Sequence, residues 1–322
     1  MSAPPSNRHP SRRRFLSIVA AGSASLLAGG FLPTTLRASK APSLVSWSGI
    51  VLGAEASIQL HHTDPEQARA LLRQCLAEIQ RLESFFSLYD DRSLLSRLNR
   101  QGELIDPPAE FLELLSIATD LGHQTHGVFD VTIHPVVEAT RRHFAVGGSS
   151  EELDLDKQLS LVDFRRLSVH RDRIKLELPS SAVTLNGIAQ GFITDRIALL
   201  LRQNGIHHSL IDLGEKRALD SHPSGRPWNL LLADANERRT VELDNMALSS
   251  SGGYGTPFDA TGRHHHLIDP RTGISVNRHR SVHVLAPDAT TADALSTALA
   301  TCRAEETQAL LDCFPRAKAI FI

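Results

Sequence analysis

Hydrophobic and polar residues follow two different periods along the chain, and each period predicts one kind of element. Apolar and polar positions alternate over residues 44–62, which predicts strand. Beyond Asp64 and Pro65, apolar residues recur at helical spacing as far as Leu82, so a helix is expected to begin there. The same reasoning predicts helices over 108–123, 188–204, 290–302 and 304–313, and strands over 166–170, 173–178, 181–185, 208–213, 228–233, 240–248, 281–286 and 317–322.

Two segments show neither period. Residues 140–165 are polar, and residues 250–280 are rich in Gly, His and Pro, so both are predicted to be irregular. Elsewhere helices and strands are mixed without the regular β–α–β alternation of a doubly wound fold. The pattern therefore predicts an α+β protein.

The N-terminus differs in composition from the rest of the chain. Residues 1–38 hold five arginines and no acidic residue, and the string Ser11–Leu16 places three consecutive arginines before an apolar run that ends at Leu32. This arrangement predicts a twin-arginine-type signal peptide over residues 1–38, a mature domain over 39–322 and a periplasmic location.

The apolar run is almost long enough to span a bilayer, so an uncleaved anchor is the alternative.

Charge and cysteine content exclude several classes of protein. Lys and Arg total 34 against 36 Asp and Glu, so no basic excess indicates a nucleic-acid partner. No segment after the leader is apolar enough to predict a transmembrane helix. Three cysteines do not make a disulfide scaffold. Cys302 and Cys313 could pair, but their position in a helical stretch favours structural thiols.

Four polar segments, three of which contain glycine, interrupt the core sequence and are the candidates for chemistry. None is a dinucleotide-binding glycine motif, a phosphate-binding P-loop or a His-Glu-x-x-His zinc motif. They are residues 86–99, residues 125–132, residues 184–195, and a composite of 249–254, 264–273 and 292–297.

Asp293 and Thr297 are four residues apart on a predicted helix, so their oxygens lie on one face, one turn apart. Such a pair of hard oxygen donors suits Mg²⁺, which takes few protein ligands and completes its octahedron with phosphate and water. The alternative is structural: an Asp in the first turn favours the helix dipole, and a Thr can bond back to its own helix.

The run His264–His266 has three interpretations: a metal site that uses at most two of the rings, a solvated loop without function, or a single histidine that acts as general base. Of the two functional interpretations, the general base is the better one. Gly187 precedes a predicted helix N-terminus and so could let backbone N–H groups approach a phosphate, although such glycines are also ordinary caps. Tyr89 and Phe129 could stack on a flat ring or belong to the core.

In their order and spacing these segments resemble the FAD:protein FMN transferase family, the ApbE-like flavin transferases. The resemblance runs from about residue 52 to residue 299, and its most specific part is His266–Gly273 followed by Ala292–Thr297. It implies a single large α+β domain in which helices pack on mixed or antiparallel sheets. It also implies an enzyme that uses FAD and Mg²⁺, moves FMN to a Thr or Ser hydroxyl of an acceptor protein and releases AMP.

The resemblance also implies roles for particular residues. Asp293, Thr297 and the backbone carbonyl of Gly187 would bind the metal, and His266 would take the proton from the incoming hydroxyl. The residues implied to bind the flavin nucleotide are Leu52, Tyr89, Val128, Phe129, Asp130, Thr184, Gln190 and Leu267.

The sequence departs from the family pattern near the phosphates. The family has an acid where this chain has Thr184, a lysine where it has Gln190, and a second glycine where Glu215 follows Gly214. Loss of a cation from a diphosphate site could cost a charge-assisted hydrogen bond of about 1.5–3 kcal/mol. Two alternatives follow: a flavin-binding accessory protein without transfer activity, or an FAD pyrophosphatase that uses water. The compartment and the resemblance point to a membrane electron-transfer subunit as the acceptor.

Overall fold

The computed structural model describes residues 42–233 and 238–322. The predicted signal peptide over residues 1–38 lies outside the described residues. The helices are α1 (Pro65–Phe86), α2 (Leu94–Gln101), α3 (Ala109–Gln124), α4 (His134–Ala145), α5 (Asp156–Leu159), α6 (Ala189–Gln203), α7 (Ala289–Thr301) and α8 (Thr307–Asp312). The strands are β1 (Ser43–Val51), β2 (Ala54–His62), β3 (Glu103–Ile105), β4 (Leu167–His170), β5 (Arg173–Leu176), β6 (Ser209–Asp212), β7 (Lys216–Leu219), β8 (Trp228–Ala233), β9 (Arg238–Leu243), β10 (Ala247–Ser251), β11 (Val282–Ala286) and β12 (Lys318–Phe321).

Seven strands form the main sheet, in the order β1-β2-β6-β7-β10-β11-β12. A three-stranded sheet (β3-β5-β4) and the two-stranded β8-β9 ribbon complete the described strands. Every one of these pairings is antiparallel. Helices and antiparallel sheets in one chain confirm the prediction of an α+β fold.

The two faces of the main sheet are covered differently. Helices α1, α6 and α7 pack against one face, where Ile58, Ile211 and Val284 join the principal core. The β8-β9 ribbon covers the middle of the other face, where Leu210 and Leu248 join a second, smaller core. Because β strands alternate their side chains between faces, buried strands serve both cores.

The strand predicted over residues 44–62 is a hairpin of β1 and β2. Its two-residue turn consists of Leu52 and Gly53, both with left-handed backbone, at φ 46° and 77°. Two-residue hairpin turns favour this conformation because it matches the twist of the strands. Leu52 N–H donates to the Glu83 side chain of α1, which ties the turn to that helix.

Three other predictions of secondary structure are wrong. Residues 181–185 form no strand, residues 140–145 complete helix α4 instead of starting an irregular segment, and the strand predicted over 240–248 is parts of β9 and β10. In addition, helix α5 lies inside the segment predicted to be irregular, and helix α2, residues 134–139 of α4 and strands β3 and β7 lie where no regular element was predicted. The remaining predicted helices and strands are confirmed to within a few residues, the normal scatter of element ends.

Cys75, Cys302 and Cys313 are all free thiols. Burial raises the pKa of Cys75 to about 12, so this thiol is not a nucleophile. Cys302 is buried and fits the structural reading, whereas Cys313 is exposed. No helix in the described part of the chain is long and apolar enough to cross a membrane.

Several loops meet at one end of the main sheet, which we call the loop end. The registers Ser57↔Asp212, Lys216↔Leu248 and Ser251↔Val282 place three features at this end: the β1-β2 turn, the β6-β7 turn, and both ends of the long 252–281 segment. The N-terminus of α6 joins them, since Gln190 Nε2 donates to Leu213 O at 3.4 Å. Segments that are remote in sequence are thereby brought together.

Candidate functional site

The site begins where the segment preceding α6 runs along one face of α7. A Cβ built on Gly187 would lie 2.9 Å from Thr297 Oγ1, so the Gly187 backbone lies directly against that hydroxyl. One turn further along α6, Gly191 N–H donates to Asp293 Oδ2 at 3.0 Å. The structure therefore brings together the three residues that were predicted to bind a metal.

Their chemistry fits a small, hard divalent cation. A carboxylate, a hydroxyl and a backbone carbonyl are oxygen donors of the kind that Mg²⁺ prefers. Asp293 is buried, at 4% exposure, and its bond to Gly191 fixes the carboxylate at the α6 N-terminus. The described parts of the chain contain no cluster of three or more His, Cys, Asp or Glu side chains that could hold a metal ion.

A row of hydroxyls from β10 extends the polar surface beside Thr297. Ser251 Oγ lies 2.7 Å from Ser296 Oγ and 3.5 Å from Thr297 Oγ1. Ser249 Oγ lies 3.0 Å from the same Ser296 hydroxyl. Because β10 ends at Ser251, this row leads from the sheet to the site.

The segment that carries Gly187 is held by contacts from two distant parts of the chain. Asn99 of α2 accepts from Val183 N–H at 2.7 Å and donates to Val183 O at 2.9 Å. Thr184 N–H donates to Val131 O at 2.8 Å. These contacts replace the ladder of the strand predicted over residues 181–185. Sequence reasoning missed the role of Asn99, although the residue closes the first polar segment.

Gln190 packs inside the protein, at 7% exposure, against the turn between β6 and β7. A Cβ built on Gly214 would lie 2.5 Å from Gln190 Nε2, so the amide lies against the backbone of that turn. Glu215, the departure in the same turn, is also buried. A cation follows in β7, where Lys216 Nζ pairs with Asp212 at 3.4 Å.

The turn Val128–Asp130 is tied into the same region but is largely internal. Val128 and Phe129 are buried in the principal core. Asp130 Oδ1 accepts from Thr132 N–H at 2.7 Å and from its hydroxyl at 2.6 Å, and Oδ2 accepts from Phe164 N–H at 3.0 Å. Burial raises the pKa of Asp130, and these hydrogen bonds oppose that shift. The predicted contacts of this turn with flavin stay predictions.

Two predicted flavin residues lie nearer the surface. Leu52 is half-buried in the β1-β2 turn at the loop end. Tyr89 lies between α1 and α2 and is 76% exposed. Its ring is part of the surface and not of the core, so the structural alternative for this aromatic side chain is wrong.

The three consecutive histidines occupy three different environments. His264 Nδ1 lies 2.7 Å from Asp259 Oδ2, and its ring stacks on Phe144 at 4.2 Å between centroids. His265 is buried: Nδ1 accepts from Leu267 N–H at 3.2 Å, so Nε2 is the donor to Asn277 Oδ1, also at 3.2 Å. Burial lowers the pKa of His265, which keeps it neutral. These two rings are therefore structural.

His266 is the member of this run that was predicted to be the general base. It is half-buried, its backbone N–H donates to Thr256 O at 3.3 Å, and its ring lies 6.3 Å from that of His265. Leu267 follows as a buried residue whose carbonyl accepts from Val276 N–H at 3.0 Å. The roles predicted for both residues stay predictions.

The loop that carries these residues is anchored to the C-terminal part of the chain. Arg271 donates to Asp269 Oδ2 at 2.8 Å and to Glu306 Oε1 at 2.6 Å. Hydrogen bonds from Arg271 lower the pKa of Glu306 to about 2. This ion-pair network fixes the 269–271 part of the loop that the sequence predicted to be irregular.

A cavity of about 820 Å³ opens between residues 150–159 and residues 263–277 of the same loop. Its lining includes His264, but none of the residues predicted to bind metal or flavin. The predicted site therefore lies elsewhere, at the loop end of the sheet.

Comparison with known proteins gives a consistent family. The family model described as the ApbE family matches residues 52–321. The chain is 31% identical over 284 residues to the FAD:protein FMN transferase of Haemophilus influenzae, covering 81% of each chain. It is 28% identical over 297 residues to that of Vibrio cholerae, covering 88% of this chain and 86% of the relative.

Solved structures show the same architecture. The apo form of the flavinyl transferase ApbE from Pseudomonas stutzeri superposes with a TM-score of 0.75 at 25% identity, covering 87% of this chain and 91% of that one. The ApbE protein of Thermotoga maritima, at 23% identity, has a TM-score of 0.73 over 87% of this chain and 94% of its own, and supports the fold. The family match over most of the chain and the shared fold identify this protein as a member of the ApbE family.

Proposed function

We propose that this protein is an FAD:protein FMN transferase that uses Mg²⁺, transfers FMN from FAD to a Thr or Ser hydroxyl of an acceptor protein, and releases AMP. Relatives that share more than four-fifths of its length carry that transferase name. The observation that carries the proposal is the packing of Gly187 and Gly191 against Thr297 and Asp293, which assembles an oxygen donor set for Mg²⁺.

The reaction exchanges one phosphorus–oxygen bond for another. The acceptor oxygen forms a bond to the FMN phosphorus while the anhydride bond to the AMP phosphate breaks, and the hydroxyl proton passes to His266. Asp293, Thr297 and the Gly187 carbonyl would hold Mg²⁺, which would supply positive charge to neutralise charge that develops on the leaving phosphate. Positioning and charge neutralisation supply most of the catalysis in reactions of this class.

The departures at Thr184 and Gln190 change the charge near the place where the diphosphate is expected to bind. Thr184 removes a negative charge where the family has an acid. Gln190 is neutral, and its amide lies against the Gly214 backbone. Without a lysine at this position, bound Mg²⁺ would have to supply more of the positive charge that neutralises the diphosphate. The FAD affinity of this protein therefore depends strongly on Mg²⁺.

The cellular setting of the proposal comes from the leader. A twin-arginine signal over residues 1–38 directs a folded protein to the periplasm, where residues 39–322 act. The acceptor is a protein with an exported Thr or Ser, and a membrane electron-transfer subunit is the class we propose.

The test incubates the full chain with FAD, MgCl₂ and the membrane fraction of the organism that encodes it. We expect a fluorescent covalent flavin band on a denaturing gel, a mass increase of one FMN group on the acceptor, and release of AMP. Asp293→Ala should abolish both products, because it removes the carboxylate ligand. His266→Ala should abolish transfer but retain FAD binding. Asp312→Ala, an exposed carboxylate replaced in the same way, is the matched control.

The two alternatives give different results in the same assay. AMP release that the acceptor does not accelerate would indicate an FAD pyrophosphatase. Tight FAD binding without AMP release at any MgCl₂ concentration would indicate an accessory flavin-binding protein. Full activity of Asp293→Ala would refute the metal assignment, and full activity of His266→Ala would refute the base assignment.

A further inference from the structure

Asp195 lies on α6, outside the set of residues assigned to the site, and its side chain reaches the N-terminus of α7. Its Oδ1 accepts from Ala289 N–H at 2.9 Å. Its Oδ2 accepts from Thr290 N–H at 2.8 Å and from the Thr290 hydroxyl at 2.7 Å. The first N–H groups of a helix have no partner within that helix. Asp195 therefore caps a helix other than its own.

The rest of the α7 cap is local. Asp288, the N-cap residue, accepts from Thr291 N–H at 2.7 Å through its side chain and from Ala292 N–H at 3.2 Å through its carbonyl. The two carboxylates thus accept from the first three N–H groups of α7, and the Asp288 carbonyl accepts from the fourth. Asp288 serves only the helix it begins, whereas Asp195 also fixes where that helix lies against α6.

Contacts between the two helices follow one antiparallel register. Asp195 contacts Ala289, Gly191 contacts Asp293, and Gly187, just before α6, contacts Thr297, so each step of four residues along α6 and the segment before it matches a step of four along α7. At the middle step, a Cβ on Gly191 would lie 2.3 Å from Ala289 O and 2.9 Å from Asp293 Cβ. The helices touch backbone to backbone there.

We propose that Asp195 is a positioning residue for the metal site, because it fixes the register that holds Asp293 and Thr297 opposite Gly187. The inference rests on the proposed function, since it concerns the metal donors of that site. A slip of α7 by one residue would shift Thr297 by about 1.5 Å and rotate it by about 100° around the helix axis. Metal coordination does not tolerate that displacement, because ligand distances vary by only about 0.2 Å.

The charge of Asp195 suits this role. A carboxylate at a helix N-terminus interacts favourably with the helix dipole. Arg217 Nε of β7 lies 3.7 Å from Asp195 Oδ1, and both side chains are largely shielded from water. Burial raises the pKa of Asp195, and the hydrogen bonds from α7 oppose that shift. The side chain is thus held from three elements: its own helix, α7 and the main sheet.

The experiment compares the full chain with Asp195→Asn. Asparagine keeps the shape of the side chain, but its NH₂ group faces N–H donors of α7, so part of the cap is lost. We measure binding of Mn²⁺ from MnCl₂ by the loss of the free-ion electron paramagnetic resonance signal, and the MgCl₂ concentration that gives half-maximal FMN transfer. We expect both to shift about tenfold towards weaker binding, as for other residues that orient metal ligands. Transfer at saturating MgCl₂ should recover.

Asp288→Asn is the matched control, because it weakens the cap of the same helix without touching α6. It should lower the melting temperature but leave Mn²⁺ binding unchanged. Thr290→Val is the milder variant, useful if Asp195→Asn does not fold. It removes only the hydroxyl donor to Asp195 and should weaken Mn²⁺ binding about threefold.

Equal Mn²⁺ binding in wild type, Asp195→Asn and Thr290→Val would overturn the inference and leave Asp195 as a stabilising cap only. An equal loss of binding in Asp288→Asn would also overturn it, because any damage to α7 would then suffice. Failure of the proposed function gives a separate result: the wild type itself would bind no Mn²⁺ and transfer no FMN, and the inference would fall with it.

Discussion

Replacing Asn99 by alanine tests whether the segment before α6 is held by side-chain contacts. The change removes both hydrogen bonds to Val183, at 2.7 and 2.9 Å, and leaves the N–H and C=O of a fully buried residue without these partners. Each such unsatisfied group costs about 1–3 kcal/mol. Asn99 is half-buried, so water can reach part of the gap, and we expect a loss of about 2–4 kcal/mol in the free energy of unfolding.

The assay is denaturant unfolding followed by circular dichroism, with FMN transfer measured on the same samples. A loss of about 3 kcal/mol should lower the melting temperature of a chain this size by about 6–12 °C. Asn186→Ala is the matched control for stability, because its side chain is exposed on the same segment. FMN transfer by Asn99→Ala should be weaker than that of the wild type even at temperatures at which the variant is still folded, because Gly187 is no longer held in place. A loss below about 0.5 kcal/mol, equal to that of Asn186→Ala, would refute the reasoning.

Two further predictions concern the helix interface and acid stability. Gly191→Ala should separate α6 from α7, because its Cβ would lie 2.3 Å from Ala289 O. Overpacking costs about 1–3 kcal/mol; Mn²⁺ binding should weaken as well, and an unchanged melting temperature would contradict the prediction. Since the pKa of Glu306 is lowered to about 2 from 4.5, its pair with Arg271 stabilises the fold above pH 4.5 and this contribution is lost as the pH falls towards 2. Over that pH range, the free energy of unfolding of Glu306→Gln should therefore change by about 1–2 kcal/mol less than that of the wild type. An equal change with pH in both proteins would exclude this ion pair as the cause.

Long, strongly periodic segments were predicted well because one face of each is buried. Helix α1 places Leu71, Leu72, Ile79 and Leu82 in the core at the spacing seen in the sequence. Its start was predictable too, since Asp64 accepts from two N–H groups of the first turn. Such local signals do not depend on the rest of the fold.

Short elements were missed where tertiary contacts outweigh local pattern. Residues 181–185 have apolar residues at alternate positions, yet Asn99 and the Val131 carbonyl bond to the backbone that a neighbouring strand would have paired. The hairpin turn at Leu52 was missed because leucine seldom adopts left-handed backbone, and a contact from Glu83 supports it. Each of these contacts joins residues that are far apart in the sequence, so no short stretch of the chain contains both partners.

The sequence also identified which segments carry the candidate site, but it did not identify the role of each side chain in them. Asp293 and Thr297 share a helix face, and the structure places both against the segment that begins at Gly187. By contrast, nothing local separates His264, His265 and His266. Their different surroundings come from Phe144, Asn277 and Thr256, which lie elsewhere along the chain.

The sequence by itself determined the helical and strand periods, the α+β class, the spacing of Asp293 and Thr297 and the family of the chain, because these depend on residues close together or on a motif order. Only the tertiary structure decided which helices face each other, in which register, and which carboxylate caps which helix. Asp195 and Ala289 are separated by more than ninety residues. Their contact follows from the packing of two helices on one sheet, and that packing depends on the whole core.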